Sequence, residues 1–302
     1  MSKSQEILCA VVLCIMATAC ASGGGTGALP SPGASPAPPS PTGSPAAPAF
    51  DGSGPYESNV TFPLTVATLD FTSSSPSPGF SNQGATVFVK TSSFNYSEIR
   101  LVIPSINIDT TITMERSLST GYPYGPSTGL SYVALGNWSD RGLSNGPVHV
   151  WSYAFGYETA ASAMPRTGTA SYSGIGNVRG GVVGADGGFW ADLRGDAGFT
   201  ADFATGKIQG TLTNLKANVA DELLDSPWND VSITANIAAG TNRFSGTTST
   251  GAPPSAPYTL QGSAAGLING AFFGPAAENL GAVWTLSDGA GTAIGVVGAA
   301  RQ

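Results

Sequence analysis

From Phe50 onward, apolar and polar residues alternate in short runs punctuated by Gly, Asn and Asp, and almost no long segment keeps a helical period. A period of two is the mark of half-buried strands. In SEIRLVIPSINIDTTITMERS (97–117), Ile99, Leu101 and Ile103 share one face, and after Pro104 the set Ile106, Ile108, Ile112 and Met114 shares another. That predicts two strands joined at Pro104. GLSYVALGNWSD (129–140) predicts a third strand, ending at Gly136.

The second half is more regular. VHVWSYAFGY (148–157) alternates His149, Trp151, Tyr153, Phe155 and Tyr157 with small residues. TGTASYSG and NVRGGVVGA follow as two further strands. In FTADFATGKIQGTLTN (199–214), Phe199, Ala201 and Phe203 lead into an Ala204-Thr205-Gly206-Lys207 turn, and Ile208, Gly210 and Leu212 return on one face, which is a hairpin pattern. VSITANIAAG, NRFSGTT, LQGSAAGLINGAFFG, NLGAVWTLSD and GTAIGVVGAAR complete the set. Roughly eight strands at such spacing describe a sandwich or a closed antiparallel barrel, and closure removes exposed edges.

Two stretches break the pattern. NLKANVADELLDSPWND (214–230) predicts a short helix around Ala220 to Leu224, stopped by Pro227. NGAFFGPAAENLGAVWTL (269–286) places Pro275 and Gly281 around Ala276 to Leu280, the order that opens and closes a helix, so a single helical turn is expected between two strands.

Composition narrows the function. Gly accounts for 41 of 302 residues and charged residues for only 10%; 19 acidic against 12 basic residues give a net charge of −7. Without a basic cluster to neutralise phosphates, nucleic acid is excluded as a partner. The start, MSKSQEILCAVVLCIMATAC, has Lys3, an apolar run from Ile7 to Met16 too short to span a bilayer, and small residues before Cys20. It reads as an export signal over residues 1–19. Ala17-Thr18-Ala19-Cys20 resembles a bacterial lipobox, which makes Cys20 the lipid attachment residue. Cleavage without lipidation is the alternative, because Ala17 stands where such motifs usually carry Leu. Ala21 after the Cys points to the outer membrane. Residues 20–49, rich in Gly, Pro and Ser, form a tether able to reach on the order of 80 Å at about 3.1 Å per residue.

Candidate chemistry is sparse. GPSTG (125–129) and GLSNG (142–146) match a hydrolase nucleophile elbow, but the single His of the chain is His149 and the context is not a strand-to-helix turn. No catalysis is expected. His149 shares a strand face with Trp151, Tyr153 and Phe155, which makes it a candidate haem ligand beside the simpler reading of a His at a strand rim. Asp186, Asp192, Asp196 and Asp202 fit no calcium loop, so no metal or other cofactor is expected.

Three stretches resemble one family, the β-barrel domain of transferrin-binding protein B and related bacterial surface lipoproteins. The first carries Gly156, Thr159, Met164, Pro165, Gly168, Thr169, Ala170, Tyr172 and Gly174; the second Asp202, Phe203, Gly206 and Gly210; the third Gly270, Phe272, Gly274, Pro275, Ala277, Glu278 and Gly281. The resemblance implies an all-β chain: an eight-stranded antiparallel barrel over 148–302, preceded by a smaller β-rich handle over 50–147. It also implies a lipid-anchored, outer-membrane and surface-exposed protein that binds a host or metal- or haem-carrying macromolecule. A TonB-dependent receptor and a surface-lipoprotein translocon are its expected partners. A haemophore-like small-ligand carrier and a periplasm-facing structural lipoprotein are the alternatives. A membrane-spanning barrel, which also alternates, is opposed by the lipobox and tether.

Overall fold

The alternation resolves into two antiparallel sheets. The computed structural model describes residues 60–70, 77–80, 84–93, 96–115, 129–139, 149–185, 190–218 and 225–302, all within one unit, Thr42–Gln302. The lipobox, the tether and the expected helix at Ala220 to Leu224 lie outside the described residues.

The first sheet contains β1 (Val60–Asp70), β2 (Ser77–Phe80), β3 (Thr86–Ser93), β4 (Tyr96–Ile103), β5 (Ile108–Glu115), β6 (Val133–Ser139) and β7 (His149–Gly156). Its order is β5-β4-β3-β1-β7-β6, with β2 paired to the end of β1. Strands β4 and β5 meet at Pro104 as expected. Ile106 does not join the apolar face of β5, because Pro104–Ile106 forms a 3-10 turn closed by the Asn107 N–H on the Pro104 carbonyl; Ile106 is left 39% exposed. Strand β6 continues past Gly136 to Ser139, since Gly136 pairs in register with Tyr153.

One face of this sheet makes its own core: Phe62, Leu64 and Val66 of β1, Val87 and Val89 of β3, Ile99, Leu101 and Ile103 of β4, and Trp151, Tyr153 and Phe155 of β7 are buried together. The sequence reading placed 148–157 at the start of the barrel. Instead β7 pairs with β1 and β6 of the smaller sheet. The reason is that both of its faces are apolar: the aromatic one fills the handle core, and the small one, Val150 and Ala154, lies against the barrel.

The second sheet contains β8 (Thr169–Gly184), β9 (Trp190–Asp202), β10 (Lys207–Asn218), β11 (Ser226–Pro227), β12 (Val231–Ile237), β13 (Arg243–Thr250), β14 (Ala265–Phe273), β15 (Asn279–Ser287) and β16 (Gly291–Arg301). Pairing runs β10-β12-β13-β14-β15-β16-β8-β9, and β9 pairs back onto β10. The chain is thus all-β, an eight-stranded antiparallel closed barrel after a separate β sheet. The predicted hairpin is β9 and β10, with Lys207 opposite Asp202. The two strands expected over 167–185 are one, β8, with a register shift between Gly174 and Val178. The Gly176 N–H donates to Asp196 Oδ1 at 2.7 Å and anchors the bulge.

The two surfaces of the barrel wall have opposite chemistry. Inward-facing Leu193, Phe199, Ile208, Leu212, Ile233, Phe272, Trp284 and Val297 are buried in one cluster that fills the interior. Outward-facing Thr200, Gln209, Thr211, Ser232, Thr234, Asn236, Ser245, Thr247 and Ser249 are exposed. A barrel that crosses a membrane has an apolar outer band, so this polar exterior excludes that reading. Over β14 to β16 the outer wall is apolar too, because the handle covers it. Ala271, Phe273, Val283 and Val296 pack against Ala67, Val133, Leu135 and Ala154, and Val183 and Ile294 against Leu69 and Val150.

Candidate functional site

At one end of the barrel the chain leaves β7 and crosses to β8, and the turns between β12 and β13 and between β14 and β15 arrive at the same end. There the backbone is stitched across the two sheets. The Tyr157 N–H donates to Tyr132 O at 2.9 Å, the Gly274 N–H to Tyr157 O at 2.8 Å and the Thr159 N–H to Phe272 O at 2.9 Å. The Thr159 hydroxyl donates to Gly274 O at 2.7 Å. Asn279 Oδ1 accepts from the Ser131 and Tyr132 N–H groups, both at 2.9 Å. Buried backbone groups must find partners, and here they find them across the junction.

A charged clasp lies beside this seam. The Glu158 carboxylate pairs with Arg243 Nη2 and accepts from Asn242 Nδ2 at 3.1 Å. Arg243 Nη1 reaches on to Thr65 Oγ1 of β1 at 3.1 Å. The Glu158 side chain is only 10% exposed, against 38% for Arg243, so the carboxylate depends on this partner more than the guanidinium does.

The turn at 274–277 is not the helical turn the sequence predicts. Gly274 has φ +90° and Ala277 φ +60°, values that no right-handed helix contains. Glu278 Oε2 accepts from the Ala276 N–H at 2.8 Å instead of facing a helix dipole. A Cβ on Gly274 would sit 2.3 Å from that carboxylate oxygen and 2.7 Å from the Tyr132 ring, so only glycine fits. The Tyr172 hydroxyl donates to Ala277 O at 2.8 Å and holds the left-handed alanine in place. Burial pushes the Tyr172 phenol up to about 12, with Arg301 opposing and Glu278 adding to the shift. Beneath the turn, Phe272 meets Tyr172, Phe203 and Phe244 at ring-centroid distances of 5.9, 5.6 and 5.5 Å.

The family-type positions from all three stretches thus converge on one end of the barrel, where Thr159, Tyr172, Phe203, Phe272, Gly274, Ala277 and Glu278 build a seam and a plug. Nothing in it pairs a nucleophile with a base. Its capacity is mechanical: it fixes the handle on the barrel wall and sets the pose of the loops around it.

The individually predicted residues fall elsewhere. His149 begins β7, partly buried, with its ring stacked on Trp151 at 5.7 Å, at the mouth of the handle core rather than on a barrel rim. Cys20, Asp186 and both candidate elbow serines, Ser127 and Ser144, lie outside the described residues. The remaining aspartates act locally. Asp192 accepts from Trp190 Nε1, Asp196 from Gly176 and Asn214, and Asp202 caps the hairpin at Ala204 and Thr205. No group of three or more His, Cys, Asp or Glu placed to hold a metal ion occurs among the described residues. Glu158, Arg243 and Asn279 were not legible as site residues, since partners 85 and 148 positions apart leave no local pattern.

Residues 164–301 match the family model described as the C-lobe and N-lobe beta barrels of Tf-binding protein B. The barrel is similar to those of transferrin-binding protein B. No curated protein matches the chain. Among solved structures, the isotype 1 transferrin binding protein B from serogroup B Neisseria meningitidis is 20% identical over 79% of this chain and 43% of its own, with a TM-score of 0.44. The Haemophilus parasuis Hp5 protein is 16% identical over 79% of this chain and 45% of its own, at 0.45. HpuA from Kingella denitrificans, solved in complex with human haemoglobin, is 15% identical over 82% of this chain and 89% of its own, at 0.40. The chain therefore spans less than half the length of these two transferrin-binding protein B chains.

Proposed function

We propose that the chain is a lipid-anchored outer-membrane protein, displayed at the cell surface, that binds a host iron- or haem-carrying protein through the loops and outer faces of its handle and barrel, without catalysis. The observation that carries this reading is the match of residues 164–301 to the barrels of a transferrin-binding protein. The filled interior supports it, because with Trp284, Phe272 and Leu212 occupying the lumen, recognition falls to the exterior. A TonB-dependent receptor to accept the iron and a translocon to bring the lipoprotein outside complete the proposal.

Anchoring is tested by Cys20→Ser. The variant is expected to leave the membrane fraction for the soluble one, while the unaltered chain on intact cells is removed by added protease. Retention of the variant in membranes would refute the anchor, and a protected body would refute surface display.

A further inference from the structure

Among the described residues, β5 ends the handle sheet and pairs with β4 alone. Sheet edges are normally blunted by Pro, Lys, bulges, shortness or a covering element. The other edges here follow that rule. Strand β2 has four residues, including Pro78 and Gly79; β11 has two and ends at Pro227; β6 carries Val133 and Leu135 into the barrel interface. Strand β5, IDTTITME, has eight residues and contains no Pro, Gly, Lys or Arg. Ile108, Thr110, Thr111, Ile112 and Thr113 are β-branched, the residues that suit a paired strand.

Two further observations leave this edge open to a strand. Its register with β4 runs unbroken from Tyr96↔Glu115 to Ile103↔Ile108, so no bulge twists it away. The carboxylate of Asp109 is drawn across the sheet surface to Arg100, with Oδ1 2.6 Å from Nε and Oδ2 2.5 Å from Nη2. Its charge is met on β4 rather than projected past the edge.

We propose that β5 is a self-pairing edge: two copies of the chain join their β5 strands antiparallel and continue the handle sheet across a two-fold axis. An axis perpendicular to the sheet leaves each face on its own side, so paired residues must share a face. Centred on Thr111, this register sets Thr111 against Thr111 of the second copy, Asp109 against Thr113, Thr110 against Ile112 and Ile108 against Met114. No like charges oppose one another, and the pairs are of the threonine and β-branched kinds that stabilise antiparallel ladders. Backbone hydrogen bonds supply the association, as in other strand additions. The contact is small, so pairing is weak in dilute solution and strengthens where copies are held close together. This inference is independent of the ligand.

The test uses the full chain with its three native cysteines, Cys9, Cys14 and Cys20, replaced by Ser. Thr111→Cys is added in one version and Ser232→Cys, on the exposed barrel wall, in another. Directly opposed antiparallel residues have Cβ atoms about 4.5–5.5 Å apart, close to disulfide reach. Under mild oxidation Thr111→Cys should form a covalent dimer at least 10-fold faster than Ser232→Cys, and adding Thr113→Asp, which sets like charges against Asp109 of the second copy, should remove that advantage. Equal rates at the two positions, or no dimer at Thr111→Cys in a protein that circular dichroism shows to be folded, would overturn the proposal.

Discussion

Trp284→Ala is expected to lower the free energy of unfolding by about 3–5 kcal/mol and the thermal midpoint by on the order of 10 °C. Trp284 is fully buried inside the barrel, 6.4 Å from the ring of Trp228. Its indole lies across Gly295, where a Cβ would come within 2.4 Å of the ring. Neighbours arranged on strands that are closed into a barrel cannot collapse into the space an alanine leaves, so the cavity cost adds to the transfer cost. Among the described residues the Trp284 Nε1 has no hydrogen-bond partner, which separates packing from polarity. Trp284→Phe forfeits no hydrogen bond, and its cost should stay below about 2 kcal/mol. Denaturant unfolding followed by far-ultraviolet circular dichroism measures both. A loss under about 1 kcal/mol for the alanine would mean that the indole does not fill the lumen.

The second large effect is expected at the clasp. Arg243→Met keeps much of the stem but removes the cation, leaving the Glu158 carboxylate nearly enclosed with Asn242 as its remaining side-chain donor among the described residues. An unpaired, desolvated charge of this kind costs about 2–3 kcal/mol. The partial exposure of Arg243 keeps the figure below that of a fully buried pair. Glu158→Gln should cost less, since the exposed guanidinium is rehydrated. Because the two groups act as one unit, the double variant should be less destabilised than the sum of the singles. Strict additivity in that cycle would show that the ion pair contributes nothing to docking of handle on barrel.

What the sequence revealed, and what it hid, follows from the range of the forces involved. Alternation at 199–212 predicted β9 and β10 and their inward faces, because a strand with one wet side must repeat every second residue. At 148–157 the same rule predicted a strand, and the resemblance, not the alternation, put it in the barrel. Alternation says that a face is buried and is silent about which sheet buries it, and β7 buries both. Helical signals at Pro275 to Gly281 were overridden by tertiary bonds from Tyr172 and Thr159, which hold Ala277 and Gly274 in a conformation their local sequence does not suggest. Gly174 looked like a strand end, yet the chain bulges there and goes on as β8. The clasp was hidden for a plainer reason: one Glu and one Arg 85 positions apart have no spacing to read.

The central claim is recognition of an iron- or haem-carrying host protein by the exterior of a filled barrel and its handle. The most direct measurement is biosensor binding of the purified chain, immobilised through its N-terminal tether, to iron-loaded transferrin, lactoferrin and haemoglobin. Saturable binding to one of the three, retained in Trp284→Phe and weakened in Arg243→Met, is the predicted result. A folded chain that binds none of them would contradict the account.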